Sequence, residues 1–216
     1  MLGNGDIEKA LPLQFLNEEF WSATIELDKK TISNIDITYN YILKNADGIT
    51  SFDWGNDKSF NSSNFENETL IIDSWNHAGY FENAFYTEPF QNVLLKENAT
   101  EVVAINPTTT THTFSVKAPL LAKGQTLCII GNTFNLGNWN TEDPILMSRS
   151  EGSVHYKVNL NLSKASFPIV YKYGVYDVEK KEFITYEDGN NRLVYDTIAK
   201  NKKTIVNDAF AVLPTT

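Results

Sequence analysis

The chain has 216 residues, 42% of them hydrophobic, one cysteine and a formal net charge of −9, so it can bury a core but cannot form an intrachain disulfide framework, which fits a reducing, cytoplasmic location. No apolar run reaches the length of about 18 residues that a membrane-spanning helix needs, and the start of the chain lacks the pattern of a signal peptide. The acidic balance argues against nucleic acid and anionic membranes as partners.

Short motifs from the first half of the chain occur again in the second half. Four short matches lie 132 to 134 residues apart: 2–4 with 136–138, 39–41 with 171–173, 55–56 with 189–190, and 71–73 with 205–207. Several matches at nearly one offset indicate two copies of one module. We predict a first module at 1–97, a linker at 98–110 and a second module at 111–216.

The first module is expected to lack its opening strands, because its Leu-Gly-Asn motif stands at residues 2–4. A sandwich without those strands would expose edges and core, so we expect this chain to be a piece of a longer one. Trp21 alternates with Ala23 and Ile25, which predicts that its ring is buried. Trp75 and the aromatic residues up to 90 are expected to cover an edge or the module junction.

The second module contains short runs rich in Val, Ile, Tyr and Thr, with turn residues between them. The predicted strands are 111–118, 125–131, 154–162, 168–177, 182–186 and 203–208. No segment of useful length shows helical periodicity. This spacing predicts an immunoglobulin-like antiparallel β-sandwich, and with the first copy an all-β chain of two such sandwiches in tandem.

A polar loop with the sequence GNTFNLGNWN, at residues 131–140, contains the largest apolar side chain of the twenty. Gly and Asn favour tight turns because both tolerate positive φ. We expect Gly137 to let the chain turn sharply and Leu136 and Phe134 to anchor the loop in the core. Trp139 is then held outward.

Strand alternation places a second group of polar residues. In the segment 168–175, Tyr171 and Tyr173 share one face, so Lys172 projects from the other. The predicted hairpin that follows carries Tyr186, Glu187, Asn191 and Arg192 around a turn. Aromatic rings offer flat apolar faces to a pyranose, and amide and ammonium groups bond its hydroxyls, so this set suits a sugar.

The motifs GNTFNLGNW, VYKY and ITYEDGNNR, in this order and spacing, resemble the starch-binding domains of carbohydrate-binding module family 20. The resemblance covers most of 111–210 and, more weakly, 2–75. It implies binding of α-1,4-glucans such as starch, glycogen and maltooligosaccharides. Tandem modules resemble the N-terminal part of 4-α-glucanotransferases, a class of glycosyltransferase, whose catalytic domain this chain does not contain.

The resemblance also implies roles for individual residues. Trp139 matches the first stacking Trp of the family's main site, Lys172 its lysine and Asn191 its asparagine. Tyr186 stands where a second Trp is usual, and Val170 replaces the acidic residue that precedes the Tyr-Lys-Tyr run. The regions of the family's second site, 120–126 and 148–154, contain no aromatic residue in this module.

The first copy departs further from the family pattern. Gly5, Asn40 and Asp57 stand at the positions that correspond to Trp139, Lys172 and Asn191. Two aromatic residues, Phe52 and Trp54, remain near the position that corresponds to Tyr186 and are candidate sugar contacts. We therefore expect the second copy to contribute most of the affinity.

Other functions are excluded or less well supported by the sequence. No pair of carboxylates sits on a recognisable glycosidase motif, so we predict no catalytic site in this chain. His77, His112 and His155 lack the spacing of metal ligands, and we predict neither a metal nor another cofactor. The alternative is a β-sandwich that mediates protein–protein contact or oligomerisation, with the aromatic residues of 75–90 as its surface.

Overall fold

The computed structural model of the chain describes residues 2–28, 34–53, 58–62, 68–75, 89, 102, 104, 106–150, 153–195 and 202–212. Short 3-10 helices aside, nearly all of the regular structure in these ranges is strand. The prediction of an all-β chain with modules in tandem is confirmed.

The first repeat contributes seven short strands among the described residues. They are β1 (Gln14–Phe15), β2 (Trp21–Ser22), β3 (Asp36–Thr38), β4 (Ile42–Lys44), β5 (Thr50–Phe52), β6 (Ser59–Asn61) and β7 (Thr69–Asp73). β1 pairs with β2, β3 with β6 and β4 with β5, each as a two-stranded antiparallel sheet. Of the described residues, 2–28, 34–40 and 58–62 form one compact unit, and 41–53 together with those from 68 onward form another.

In the part of the second repeat that the structure describes there are nine strands. They are β8 (His112–Lys117), β9 (Gln125–Gly131), β10 (Ile145–Leu146), β11 (Ser148–Arg149), β12 (His155–Leu160), β13 (Ile169–Asp177), β14 (Glu182–Tyr186), β15 (Arg192–Val194) and β16 (Lys203–Ala209). Together with β7 of the first repeat, they form two five-stranded sheets. One, the β13 sheet, has the order β10-β9-β13-β14, with β15 also paired to β13; the other, the β8 sheet, has the order β11-β12-β8-β16-β7.

The two sheets pack face to face around one apolar core. Phe114 and Val158 of the β8 sheet and Leu127 and Tyr173 of the β13 sheet belong to a single buried cluster and are at most 2% exposed. Alternate residues of β12 and β16 are buried, as expected for strands with one face toward a core. The predicted sandwich in the second module is therefore present.

The β13 sheet is covered on its outer face as well. Cys128, Ile130 and Tyr176 are buried there and form a second apolar cluster, which we call the outer cluster. Five partly buried side chains pack against it: Trp139, Leu146, Val178, Phe183 and Tyr186. Burial raises the pKa of the Cys128 thiol to about 12, so this cysteine behaves as a small apolar residue.

The β8 sheet contains two parallel pairings, which the antiparallel prediction did not include. β16 lies parallel to β8 on one side and parallel to β7 on the other. In the pairing with β7, Ile71 lies opposite Ile205 and Ile72 opposite Val206. The paired residues occupy corresponding positions in the two repeats. β7 and β16 are therefore equivalent strands that lie side by side.

Two features bear on the predicted module boundaries. β7 comes from the first predicted module but lies on the β8 sheet of the second. Ala104, within the predicted linker 98–110, is buried in the core between the two sheets. The boundaries at 97 and 111 stay predictions, since much of the segment between β7 and β8 lies outside the described residues.

A buried histidine at the start of β8 has a consequence for stability. The imidazole of His112 is 2% exposed, its Nδ1 lies 2.9 Å from the Oγ1 of Thr111, and its ring stacks against Phe114. Its Nε2 has no hydrogen-bond partner among the described residues. Burial therefore disfavours the charged imidazole and lowers the pKa of His112 to about 4.

We expect the module to lose stability as the pH falls from about 6.5 to about 4, because the unfolded chain binds a proton at His112 that the folded chain does not. The loss from this group is about 3 kcal/mol once the pH is below 4. Urea unfolding of the parent and of His112→Leu measures this loss. Between about pH 6.5 and 4, the free energy of unfolding should fall by about 3 kcal/mol more in the parent than in the variant. A constant difference between His112→Leu and the parent would contradict the assignment.

Candidate functional site

The loop that carries Trp139 follows β9 and forms a 3-10 helix over Phe134–Trp139. Three consecutive residues have positive φ: Gly137 at 73°, Asn138 at 48° and Trp139 at 61°. Gly and Asn adopt this conformation at low cost, whereas Trp does so rarely. The Thr133 carbonyl accepts hydrogen bonds from the amides of Leu136 and Asn138, which closes the turn.

The anchor of this loop is one side chain and not two. Leu136 is fully buried in the core between the sheets, as predicted. A Cβ on Gly131 would lie 2.8 Å from the Cδ1 of Leu136, so glycine there makes room for the leucine. Phe134 was predicted as a second anchor, but its side chain is 84% exposed. The prediction for Phe134 is therefore wrong.

Trp139 stands at the edge between core and solvent. Its side chain is half-buried and packs against the outer cluster, on the face of the β13 sheet that points away from the main core. The rest of the ring stays accessible. This placement agrees with the expectation of an indole held outward by a stiff turn.

A second ring system lies on the same outer cluster. Tyr186, at the end of β14, packs there with Phe183, and their ring centroids are 4.6 Å apart at 55°. A Cβ on Gly174 would lie 2.5 Å from the ring of Phe183, so glycine on β13 lets this ring approach the strand. Partial burial raises the pKa of the Tyr186 phenol, and at neutral pH the hydroxyl can donate a hydrogen bond.

The sequence does not predict that Phe183 joins Tyr186, because the two residues lie three positions apart. In a regular strand residues 183 and 186 point to opposite faces. The register of β13 against β14 shifts between Val175 and Tyr176, and such a bulge moves the following side chains by one position. Both rings then pack on one cluster. No sequence signal marks this bulge.

Lys172 lies on β13, opposite Ile130, on the outer face as alternation predicted. Its Nζ donates a hydrogen bond of 2.7 Å to the carbonyl of Gly189 and lies 6.0 Å from the centroid of the Tyr186 ring. An ammonium carries three donors, so further donors are available to a ligand. The Lys172 ammonium therefore lies near the Tyr186 ring and is hydrogen-bonded to the loop that follows β14.

The segment after β14 is not the hairpin that was predicted. β14 pairs with residues 174–177 of β13, and β15 pairs with residues 169–171 on the same edge. The chain therefore continues in one direction, and residues 187–191 form a loop that bulges from this edge; we call it the 187–191 loop. Gly189 turns it with a φ of 81°. Asn191 is exposed in this loop and has no hydrogen-bond partner among the described residues.

Glu187 occupies the base of this loop. Its side chain is buried, and its carboxylate accepts hydrogen bonds from the Tyr173 amide, from Nε and Nη2 of Arg192 and from the Ala211 amide, at 2.8 to 3.2 Å. The Tyr173 amide has no strand partner at the loop, so the carboxylate satisfies it. This position differs from the sugar contact predicted for Glu187.

Arg192 links that carboxylate to a second one. Its Nη1 lies 2.9 Å from Oδ1 of Asp208, and the hydroxyls of Tyr171 and Tyr173 donate to Oδ2 of Asp208. Burial opposes the charge of Arg192, but the carboxylates of Asp208 and Glu187 hold its pKa well above the ordinary value. This buried network fixes both ends of the 187–191 loop.

The first repeat presents its predicted aromatic residues differently. Phe52 ends β5 and is 49% exposed, while Trp54 lies outside the described residues. Asp53 is buried, as is Glu187 at the corresponding position 134 residues later. The Tyr41 hydroxyl donates a hydrogen bond of 2.7 Å to Asp73. The repeat therefore keeps an exposed aromatic residue followed by a buried carboxylate.

Trp21 was predicted to be buried, and that prediction is wrong. In the paired strands β1 and β2, Trp21 and Phe15 lie opposite each other, with ring centroids 5.5 Å apart at 78°. Their side chains are 60% and 61% exposed. Alternation with Ala23 and Ile25 predicts a common face, but it does not say whether that face is covered. Two exposed rings on one sheet face are a further candidate for stacking.

Neither a metal site nor a membrane span is found in the described part of the chain. No group of three or more His, Cys, Asp or Glu residues there could hold a metal ion. No helix within the described ranges is long and apolar enough to cross a membrane. The polar groups on the outer face can accept or donate hydrogen bonds, and the rings there offer flat apolar surface.

Comparison with known families gives one match over most of the chain. A family model described as starch binding domain matches residues 1–71 and again 109–206. The two segments correspond to the two repeats, which confirms the resemblance of the sequence motifs to this family.

Individual relatives and solved structures are more distant. The 4-alpha-glucanotransferase DPE2 of Oryza sativa subsp. japonica is 25% identical over 197 residues, which cover 80% of this chain and 19% of that enzyme. The chain thus spans about a fifth of this relative. A glycoside hydrolase family 15 glucoamylase from Hypocrea jecorina is 22% identical with a TM-score of 0.41, over 52% of this chain and 19% of that one. A family 20 module of the maltotetraose-forming amylase from Pseudomonas saccharophila STB07 is 15% identical with a TM-score of 0.38, over 45% of this chain and 97% of that one.

Proposed function

Because this chain belongs to the starch-binding domain family, we propose that it binds α-1,4-glucans, namely starch, glycogen and maltooligosaccharides. The single observation that carries the proposal is the arrangement of Trp139 and Tyr186 on one apolar cluster. Two partly exposed rings on one face suit the apolar faces of successive pyranose units.

Polar groups beside the rings support the same ligand. The Lys172 ammonium lies near the Tyr186 ring, and Asn191 is exposed in the adjacent loop. In our proposal both bond glucose hydroxyls, while the rings supply apolar contact and little specificity. Glu187 holds the loop and does not touch the sugar. The ligand is neutral, which fits a chain with a formal net charge of −9.

We further propose that the second repeat contributes most of the affinity. The first repeat has Gly5, Asn40 and Asp57 in place of the stacking, ammonium and amide positions. Its exposed rings, Phe52 and the pair Phe15 and Trp21, are candidates for weaker contacts. The order of affinity between the repeats is tested by the variants described below.

The relative with 4-alpha-glucanotransferase activity in its name suggests the context of this chain. We propose that the modules belong to the N-terminal part of such an enzyme and act in the cytoplasm. Their contribution is to hold the glucan near the catalytic domain, which raises the local substrate concentration without chemistry of their own.

The alternative function, protein contact through the aromatic residues of 75–90, has less support. Of that segment the structure describes Trp75, 36% exposed, and Pro89. If the chain bound a protein partner and no glucan, the parent and the Trp139→Ala variant would bind insoluble starch equally weakly.

Titration of the chain with maltoheptaose and with β-cyclodextrin tests the proposed function. We expect quenched tryptophan fluorescence and a dissociation constant between micromolar and millimolar, as is usual for a shallow polar site. Cellohexaose is the matched control: its β-linked chain has a different curvature and should not compete. No saturable change up to about 10 mM α-glucan would exclude the function.

A further inference from the structure

A serine from the first repeat takes part in the network that supports the 187–191 loop. Ser74 directly follows β7, and its amide donates a hydrogen bond to the Asn207 carbonyl at 3.1 Å. Its hydroxyl donates to Oδ1 of Asp208 and accepts a bond of 3.2 Å from Nη1 of Arg192. Ser74 therefore contacts both members of the Asp208–Arg192 ion pair.

The same ion pair leads directly to the candidate site. Arg192 donates two parallel hydrogen bonds to the Glu187 carboxylate. That carboxylate also accepts a hydrogen bond from the Tyr173 amide, and the Glu187 amide donates one to the Tyr173 carbonyl. The Asp188 amide donates to the Ala211 carbonyl. From Ser74 to the base of the loop, every step is a direct hydrogen bond.

The position of Ser74 depends on the pairing of the two repeats. β7 lies parallel to β16 in the register that puts Asp73 opposite Asn207, and the Asn207 side chain donates to the Asp73 carboxylate at 2.8 Å. Asp208 is the next residue of β16. A shift of β7 by one residue would turn its side chains to the other face and remove the hydroxyl from the network.

We propose that Ser74 is a positioning residue for glucan binding: a strand of the first repeat helps to fix the binding loop of the second. The inference rests on the proposed function, because it concerns the same site. Ser74 does not touch the ligand. It orients the guanidinium of Arg192, which in turn holds Glu187, and the ordered loop presents Asn191 beside Tyr186. A loop fixed before the ligand arrives loses less entropy on binding.

The test uses the full chain and compares Ser74→Ala, Ser74→Thr and Ser148→Ala. Ser148 is the matched control, since it lies on β11 at the opposite edge of the same sheet and its hydroxyl, within the described residues, bonds only the Lys157 carbonyl. Ser74→Ala should weaken β-cyclodextrin binding about fivefold to tenfold, within the range expected for a lost hydrogen bond to charged groups. Ser74→Thr keeps the hydroxyl and should restore binding, and Ser148→Ala should bind like the parent.

Hydrogen exchange supplies a second measurement that a general loss of stability does not reproduce. In Ser74→Ala the amides of Glu187 and Asp188 should exchange faster, while the amides of β9 keep the parent's protection. If Ser74→Ala proves too unstable to study, Ser74→Cys takes its place, since it roughly retains the size of the side chain but has a weaker donor. Its loss of affinity should be smaller than the fivefold to tenfold loss expected for Ser74→Ala.

The outcomes separate this inference from the function on which it rests. If Ser74→Ala binds like the parent while Trp139→Ala does not bind, the glucan site is right and the positioning role is wrong. If Ser74→Thr binds as weakly as Ser74→Ala, the hydroxyl is not the cause and the role is likewise wrong. If neither Trp139→Ala nor Ser74→Ala changes binding, the proposed site itself fails.

Discussion

Trp139→Ala is expected to weaken binding of β-cyclodextrin by about 2–4 kcal/mol, the usual scale for an aromatic anchor at a binding site. The ring is half-buried on the outer cluster, where Tyr186 also packs. Truncation also removes some packing, so we expect the free energy of unfolding to fall by only about 1 kcal/mol. Isothermal titration measures the first quantity and urea unfolding the second.

Leu136→Ala is the matched control for this prediction, because it lies three residues away in the same turn. Its side chain is fully buried, and truncation of a core leucine costs about 2–4 kcal/mol of stability. The folded fraction should still bind β-cyclodextrin. If Trp139→Ala unfolds the module and Leu136→Ala has no effect on stability, the indole is part of the core and the site is wrong.

Arg192→Met should produce the largest loss of stability among these variants, about 3–5 kcal/mol. The arginine neutralises two carboxylates, and the side chains of Glu187 and Asp208 are 1% and 3% exposed. Its removal leaves both charges buried without a cation, and it also releases the Ala209 carbonyl. Thermal and urea unfolding measure the loss, and binding should weaken in parallel because the 187–191 loop is no longer held.

Lys180→Met is the control for the arginine variant. Lys180 pairs with Asp177 at 3.1 Å, and their side chains are 70% and 7% exposed. The Asp177 carboxylate also accepts a hydrogen bond of 2.9 Å from the Lys180 amide, which the substitution keeps, so loss of the exposed ammonium should cost little. Lys180→Met should have nearly the same free energy of unfolding as the parent. A second change, Asp208→Asn in the Arg192→Met background, should recover part of the stability because one uncompensated charge is gone. Equal stability of Arg192→Met and Lys180→Met would contradict the role given to the network.

Much of the second module could be predicted because its signals are local. Alternation along β13 correctly placed Lys172 on the face opposite Tyr171 and Tyr173, since side-chain direction in a strand follows the period of two. Leu136 as an anchor followed from an apolar residue inside a polar turn. The matching segments 71–73 and 205–207 identified corresponding strands of two repeats.

The rest depended on information that is not local. The match of those two segments does not say that the strands pair with each other. The bulge that brings Phe183 beside Tyr186 and the inward turn of Glu187 both follow from how β13 meets its neighbours. Trp21 was assigned to a core because its pattern fits a covered face, yet the face is exposed. Pattern defines which residues share a face, and only the tertiary fold decides which faces are covered.

We propose that the glucan lies on the outer face of the β13 sheet, and NMR chemical shifts recorded during titration with β-cyclodextrin show directly which residues it contacts. We expect the largest shift at the indole N–H of Trp139, with further shifts at the backbone amides of Lys172, Tyr186 and Asn191, while the resonances of the β12 amides and the His112 imidazole stay unchanged. Saturable shifts confined to the first repeat, around Trp21 or Phe52, with no change at Trp139, would contradict it.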